Sequence, residues 1–283
     1  MLNIIKSDIY RIFRGKGIYI AIIFMFIMIV GSLFIISPGY IGTTVMIDEG
    51  TSQGMTPENV ELMEKVSKAN NILDIREIMK EYAEFDLDKQ IIGANINLYY
   101  LFIIIVFIVI CVDLSDSTAK NTLSSAISRE KYYISKVCTV MIIGIFMTLL
   151  NNYGMYFLNI IINGKSFSSD FIEFTKYTII QIPVILGMLS ILIGIAFITK
   201  KKSLFNGITI PLLMIVQLIL QGAITIFHLE PTIMTNWELQ YMINNLTNNP
   251  STEYVIKASL LGIFYVIIFN LIGYYTFKKT EIK

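Results

Sequence analysis

Histidine is nearly missing from this chain of 283 residues: His228 is the sole one, with Glu230 close by, and no second histidine completes a metal set. Charge is scarce as well. Asp, Glu, Lys and Arg make up 15% of the sequence, against about 25% in an ordinary soluble domain. Hydrophobic residues reach 55% and the mean hydropathy is +0.67. That balance excludes a soluble globular domain and points to a bilayer. Two cysteines, Cys111 and Cys138, are too few for a disulfide framework. Both fall near the ends of apolar runs, where a reducing compartment keeps them as thiols.

What the chain has in quantity is long apolar sequence. A helix needs about 20 apolar residues to cross the hydrocarbon. Six runs meet that requirement: 17–36, 91–112, 137–162, 176–199, 204–227 and 255–277. The predicted fold class is therefore all-α, a polytopic membrane protein with six transmembrane helices forming one domain over 1–283. An even number of spans leaves both termini on one side. Basic residues near short loops are retained in the cytoplasm. Lys6, Arg11, Arg14 and Lys16 precede span one, and Lys120, Arg129, Lys131 and Lys136 lie between spans two and three. Lys200, Lys201 and Lys202 join spans four and five, and Lys278, Lys279 and Lys283 follow span six. All four groups fall on the same face, so both termini are expected in the cytoplasm. The net charge of +1 hides this asymmetry. It gives no reason to expect a nucleic-acid partner. Span one is too long for the apolar region of a signal peptide and lacks a small-residue cleavage pattern, so it is expected to stay uncleaved.

Outside the spans, Leu2, Ile5, Ile9, Ile12 and Phe13 recur at helical spacing, with Lys6, Asp8, Arg11 and Arg14 assigned to other directions. This describes an amphipathic interfacial helix over 1–16, suited to an anionic inner leaflet. The outer segment 37–90 carries more acids than bases. Thr56-Pro57-Glu58 reads as a helix start, and Ile75, Ile78, Met79, Tyr82 and Phe85 form an apolar stripe, together predicting a small extracellular helical segment. The outer loop 228–254 is long and carries Trp237, Tyr241 and Met242, aromatic and apolar residues that suit the interfacial belt.

Chemistry is sparse. Acids cluster at span boundaries and in loops, so no carboxylate pair stands ready for proton relay within a span. Gly164-Lys165-Ser166 resembles the end of a phosphate-binding loop, but Asn159 occupies the position where that pattern needs glycine. No nucleotide site is found, and no cofactor or metal is expected in this chain. Neutral polar residues do appear at helical spacing: Thr148, Asn152 and Asn159 in span three, with Asn151 beside them, and Gln217, Gln221 and Thr225 in span five. Interhelical hydrogen bonding is one reading, each bond contributing roughly 0.6–2 kcal/mol; a substrate path or subunit seam is the other. Pro183, Gly187 and Gly194 in span four, with Pro211 in span five, permit kinks or close approach.

The stretch 113–136 between spans two and three has a definite order: Asp113 and Asp116, then Ser117-Thr118, then Asn121-Thr122-Leu123, then Ser128-Arg129-Glu130-Lys131, then Lys136. This order resembles the type-2 ABC transporter permeases, with Asn121 where that family more often has glycine and Ala126-Ile127 where it often has proline. The resemblance extends to the N-terminal amphipathic helix, the six spans and a last outer loop that in the family folds into short re-entrant helices. It implies a permease subunit of an ATP-driven exporter in a bacterial cytoplasmic membrane, paired with a second copy or a related permease. Two ABC ATPase subunits would bind ATP and magnesium. It also implies that the helix near Ser117 couples to the ATPase, with Asp116, Thr118, Asn121, Thr122, Leu123, Ser128, Arg129 and Lys131 at the contact. The implied cargo is hydrophobic or amphipathic, such as an antimicrobial or cytolytic peptide in export or self-immunity. A membrane enzyme and a passive channel or structural membrane protein remain as alternatives.

Overall fold

The computed structural model describes residues 2–35, 65, 68, 87–93, 96–116, 118–124, 127–165, 168–230 and 232–279. The helix start at Thr56, the apolar stripe from Ile75 to Phe85 and Ser117 lie outside these residues.

Helix α1 (Leu2–Arg14) precedes α2 (Lys16–Ile35), the first span. Short α3 (Leu87–Gly93) leads to span two, formed by α4 (Ile96–Val106), a π turn (Phe107–Cys111) and α5 (Val112–Ser115). Then come α6 (Thr118–Ser124), α7 (Arg129–Asn163), α8 (Phe171–Thr199), α9 (Lys202–Phe227), the short pair α10 (Thr232–Trp237) and α11 (Leu239–Asn245), and finally α12 (Thr252–Lys279). The described residues contain no strand, and six helices are long and apolar enough to cross a membrane. Cys111 and Cys138 are both free thiols.

Several helices start earlier than hydropathy alone predicts, because capping rather than apolarity sets their ends. Ser128 has an extended backbone and its hydroxyl accepts the Lys131 N–H, opening α7 at Arg129. Asp170 accepts the Ile172 N–H and opens α8 at Phe171. At 35 residues α7 is about 52 Å long, well beyond a hydrocarbon core of about 30 Å.

Among the described residues the most extensive helix pair is α8, which is largely buried, against α12, which exposes most of its surface. A side chain at Gly187 would come within 3.0 Å of the Gly262 carbonyl oxygen, and one at Gly194 within 3.1 Å of the Phe269 carbonyl. These glycines let two backbones nearly touch, the geometry small residues provide between membrane helices. A polar seam joins α7 to α8. Asn151 donates to Asn152 at 3.1 Å, Asn152 reaches Thr178 at 3.5 Å, and Asn159 donates to Ser168 at 2.8 Å. At the far end Asp88 accepts from both the backbone N–H and the hydroxyl of Ser169, tying α3 to the turn between α7 and α8.

Helix α9 is different. Its buried residues are Phe205, Thr209 and Leu213, all in its first half, and the second half shows Ile215, Leu218, Ile219, Ile226 and Phe227 outward.

Candidate functional site

The basic helix ends meet at one end of the bundle. Lys202 pairs with Asp116 at 2.6 Å, the Ser115 hydroxyl donates to the Lys200 carbonyl at 3.3 Å, and Arg129 donates to the Lys278 carbonyl at 2.8 Å. These contacts bind span two to span five and span three to span six.

Beneath them lies a buried charge cluster. Asp8 of α1, Asp113 of α5 and Lys136 of α7 are all nearly fully buried. The Lys136 ammonium donates to both carboxylate oxygens of Asp8 at 2.8 Å and to Asp113 through a very short bond. Arg11 donates to the other oxygen of Asp113 and lies 3.4 Å from Asp8. Two carboxylates and two cations balance, which makes burial of Asp8, Asp113 and Lys136 tolerable, with Arg11 half-buried at the edge. Burial works against the charge of Arg11, yet the Asp113 hydrogen bond and the fields of Asp113 and Asp8 outweigh it. They hold the guanidinium's pKa above its ordinary value.

Local structure explains how the four meet. On α1, Ile5, Asp8 and Ile12 are the buried residues, spaced i, i+3, i+7 on one face. The amphipathic stripe is therefore split: Ile5 and Ile12 pack on the bundle, Ile9 is half-buried, and Leu2 and Phe13 stay exposed. The π turn inserts its wider loop of backbone just before Asp113, and a turn of this kind shifts the register of the helix beyond it. Lys136 also stands 5.3 Å from the Tyr132 ring, which stacks on Phe277 of α12. Tyr133, next along, packs against Phe197 and Tyr274 and donates to the Asn270 carbonyl at 2.8 Å. The start of α7 thus carries charge contacts on one side and aromatic contacts on the other.

A cavity of about 250 Å³ adjoins the cluster, lined by Asn3, Ser7, Asp8, Arg11, Asp113, Thr118, Thr122, Tyr132 and Lys136. Thr118 and Thr122 belong to α6, so α6 and α1 share the walls of one cavity. Ala119 is buried and Leu123 packs on the core, while Thr118, Lys120, Asn121 and Ser124 are exposed. Asp116, Ser128, Arg129 and Lys131 are exposed, Asp116 paired with Lys202 and Arg129 with the Lys278 carbonyl. Of the sequence-derived coupling residues, Thr118 and Thr122 share this cavity. The path residues do not: Asn152 and Asn159 are buried in the α7–α8 seam, whereas Gln217, Gln221 and Thr225 lie on α9, where Gln221 is exposed. Sequence spacing assigns Asp8 away from the protein, makes Lys136 a topology signal and places Asp113 among boundary acids; the structure instead buries all three together. Asp8 does sit between Ile5 and Ile12 at helical spacing, and that is the signal in the sequence that points to its burial.

The fold and this site define a multi-pass helical membrane protein whose interfacial helix is locked to its spans by buried charge. Comparison with protein-family models, curated proteins and solved structures finds no match to this chain.

Proposed function

We propose that this chain is the permease subunit of an ATP-driven exporter in a bacterial cytoplasmic membrane, with both termini in the cytoplasm. The observation that carries the reading is the Asp8–Arg11–Asp113–Lys136 cluster, which ties α1 to the end of span two and the start of span three and adjoins a cavity also lined by α6. A motor that pushes on the exposed face of α6 would move α1 together with spans two and three, because buried charge pairs resist separation. ATP and magnesium belong to two partner ATPase subunits, and this chain supplies docking surface and path. The cargo is hydrophobic or amphipathic, in keeping with apolar span surfaces.

Two experiments test this. Co-expressed with its ATPase, the wild-type chain is expected to co-purify with it and support ATP turnover. Lys120→Glu combined with Asn121→Trp on the exposed face of α6 should lose both without changing thermal stability. Wild-type levels of ATPase in that variant, or no ATPase bound to the native chain, would end the proposal.

The uncovered half of α9 suits a second permease copy. Gln217 and Gln221 are amides on a surface that the described helices leave open, and amides facing lipid need partners. Gln217→Leu with Gln221→Leu is expected to impair transport while ATPase assembly persists; full transport by the double variant would assign these residues to packing alone.

A further inference from the structure

The loop between spans five and six folds back into the bundle. Trp237, Glu238 and Leu239 share the wall of one cavity with Met188 of α8, Leu213 of α9 and Tyr265 of α12, each near the middle of its helix. The cavity measures about 330 Å³, at the small end of ligand pockets, which run roughly 300–1,000 Å³. Its walls are otherwise Tyr99, Ile191, Ile195, Leu212, Val216 and Phe269. Glu238 is the one acid or base among them. It is 7% exposed, and its carboxylate caps α11 by accepting the Tyr241 N–H at 2.6 Å. A carboxylate has about four acceptor positions, so this cap leaves capacity for another donor. Burial raises the carboxyl's pKa, opposed by the backbone N–H groups of Tyr241 and Gln240. An ionisable group at this depth is costly without an opposite charge.

We propose that this cavity binds a single-chain amphiphile with a cationic head group, its alkyl chain among Met188, Leu213, Val216 and Phe269 and its head on Glu238. Charge complementarity selects this occupant over an ordinary lipid tail, which would have no use for the acid. The volume selects one chain over a folded peptide. The site lies within one protomer, between α8, α9 and α12, and reaches the second half of α9 only at Val216. Binding stands without the exporter reading; only the amphiphile's status as cargo rests on it.

Trp237 is the sole tryptophan in the sequence, lines the cavity and is 57% exposed, so occupancy of this site is read as the saturable part of its quenching, above the linear quenching by probe dissolved in the bilayer. The test uses the full chain in phosphatidylcholine liposomes without ATPase. It is titrated with one brominated alkyl chain carrying a trimethylammonium, a maltoside or a sulfate head. Saturable quenching by the ammonium compound is expected at about tenfold lower concentration than by the maltoside, the scale of one charge-assisted contact. Glu238→Gln keeps an oxygen for the Tyr241 N–H and should remove the tenfold preference while leaving maltoside quenching unchanged. Val216→Phe, which fills the cavity, should weaken quenching by both. Equal half-quenching concentrations for all three head groups, or an unaltered ammonium preference in Glu238→Gln, would overturn the proposal. Loss of ATPase pairing would leave this result untouched, so failure of the exporter reading and failure of this site remain distinguishable.

Discussion

Lys136→Met is expected to destabilise the chain by about 3–5 kcal/mol, because it strands buried charge. Met matches the length of the lysine stem, so the change is mainly electrostatic. Asp8 and Asp113 would then face each other with only Arg11 between them, and Arg11 is 40% exposed, shared with solvent. Removing Asp8 as well changes the balance. In Asp8→Asn with Lys136→Met, Asp113 keeps Arg11 and the cluster returns to neutrality, so the double variant should recover most of the lost stability. Unfolding of the purified chain in SDS titrations, followed by helical circular dichroism, reads both quantities. Protease access to α1 reads whether the interfacial helix has come loose. A single variant as stable as the native chain, or a double variant no better than the single, would mean that the cluster does not hold α1 to the spans.

The spans are legible in the sequence because runs of 20 or more apolar residues have few alternatives to membrane helices. Their ends are not. Ser128 and Asp170 begin α7 and α8 by accepting backbone N–H groups, a polar signal that hydropathy ignores. Of the coupling segment, Asp116 pairs with Lys202 and Arg129 donates to the Lys278 carbonyl, partners that no local pattern in the sequence announces. Its anchor is no more legible, for Lys136 and Asp8 are 128 positions apart and only tertiary packing joins them. The polar stripes divide for a similar reason. Periodicity identifies which residues of one helix share a face, but not whether a neighbour covers it. Asn152 found α8, and Gln221 found no helix among the described residues. Glu238 escapes a reading of the residues alone: the resemblance raises a re-entrant course for this loop, but nothing local marks which of its side chains meets Met188, Leu213 and Tyr265.

Gly262→Val is expected to be the most disruptive uncharged substitution. A Cβ at this position would fall on the carbonyl of Pro183, deep inside contact distance, and the next neighbour is the Val184 backbone nitrogen at 2.9 Å. Backbone cannot rotate aside as a side chain does, so α8 and α12 must separate. Overpacking of this kind costs about 1–3 kcal/mol and sometimes more. Gly222→Ala on α9 is the matched control: nothing lies within 4 Å of the added carbon, and replacing a helical glycine there should stabilise by up to about 1 kcal/mol. The effect on function depends on the residues α12 carries. Tyr265 and Phe269 line the cavity beside Glu238, and Asn270, the next residue, joins Tyr133 to Ser190 by hydrogen bonds. Separation of α12 from α8 should therefore abolish saturable Trp237 quenching by the alkylammonium probe as well as lower the unfolding midpoint. Loss of stability with quenching intact would show that the cavity does not depend on this crossing, and neither effect appearing would contradict the close approach itself.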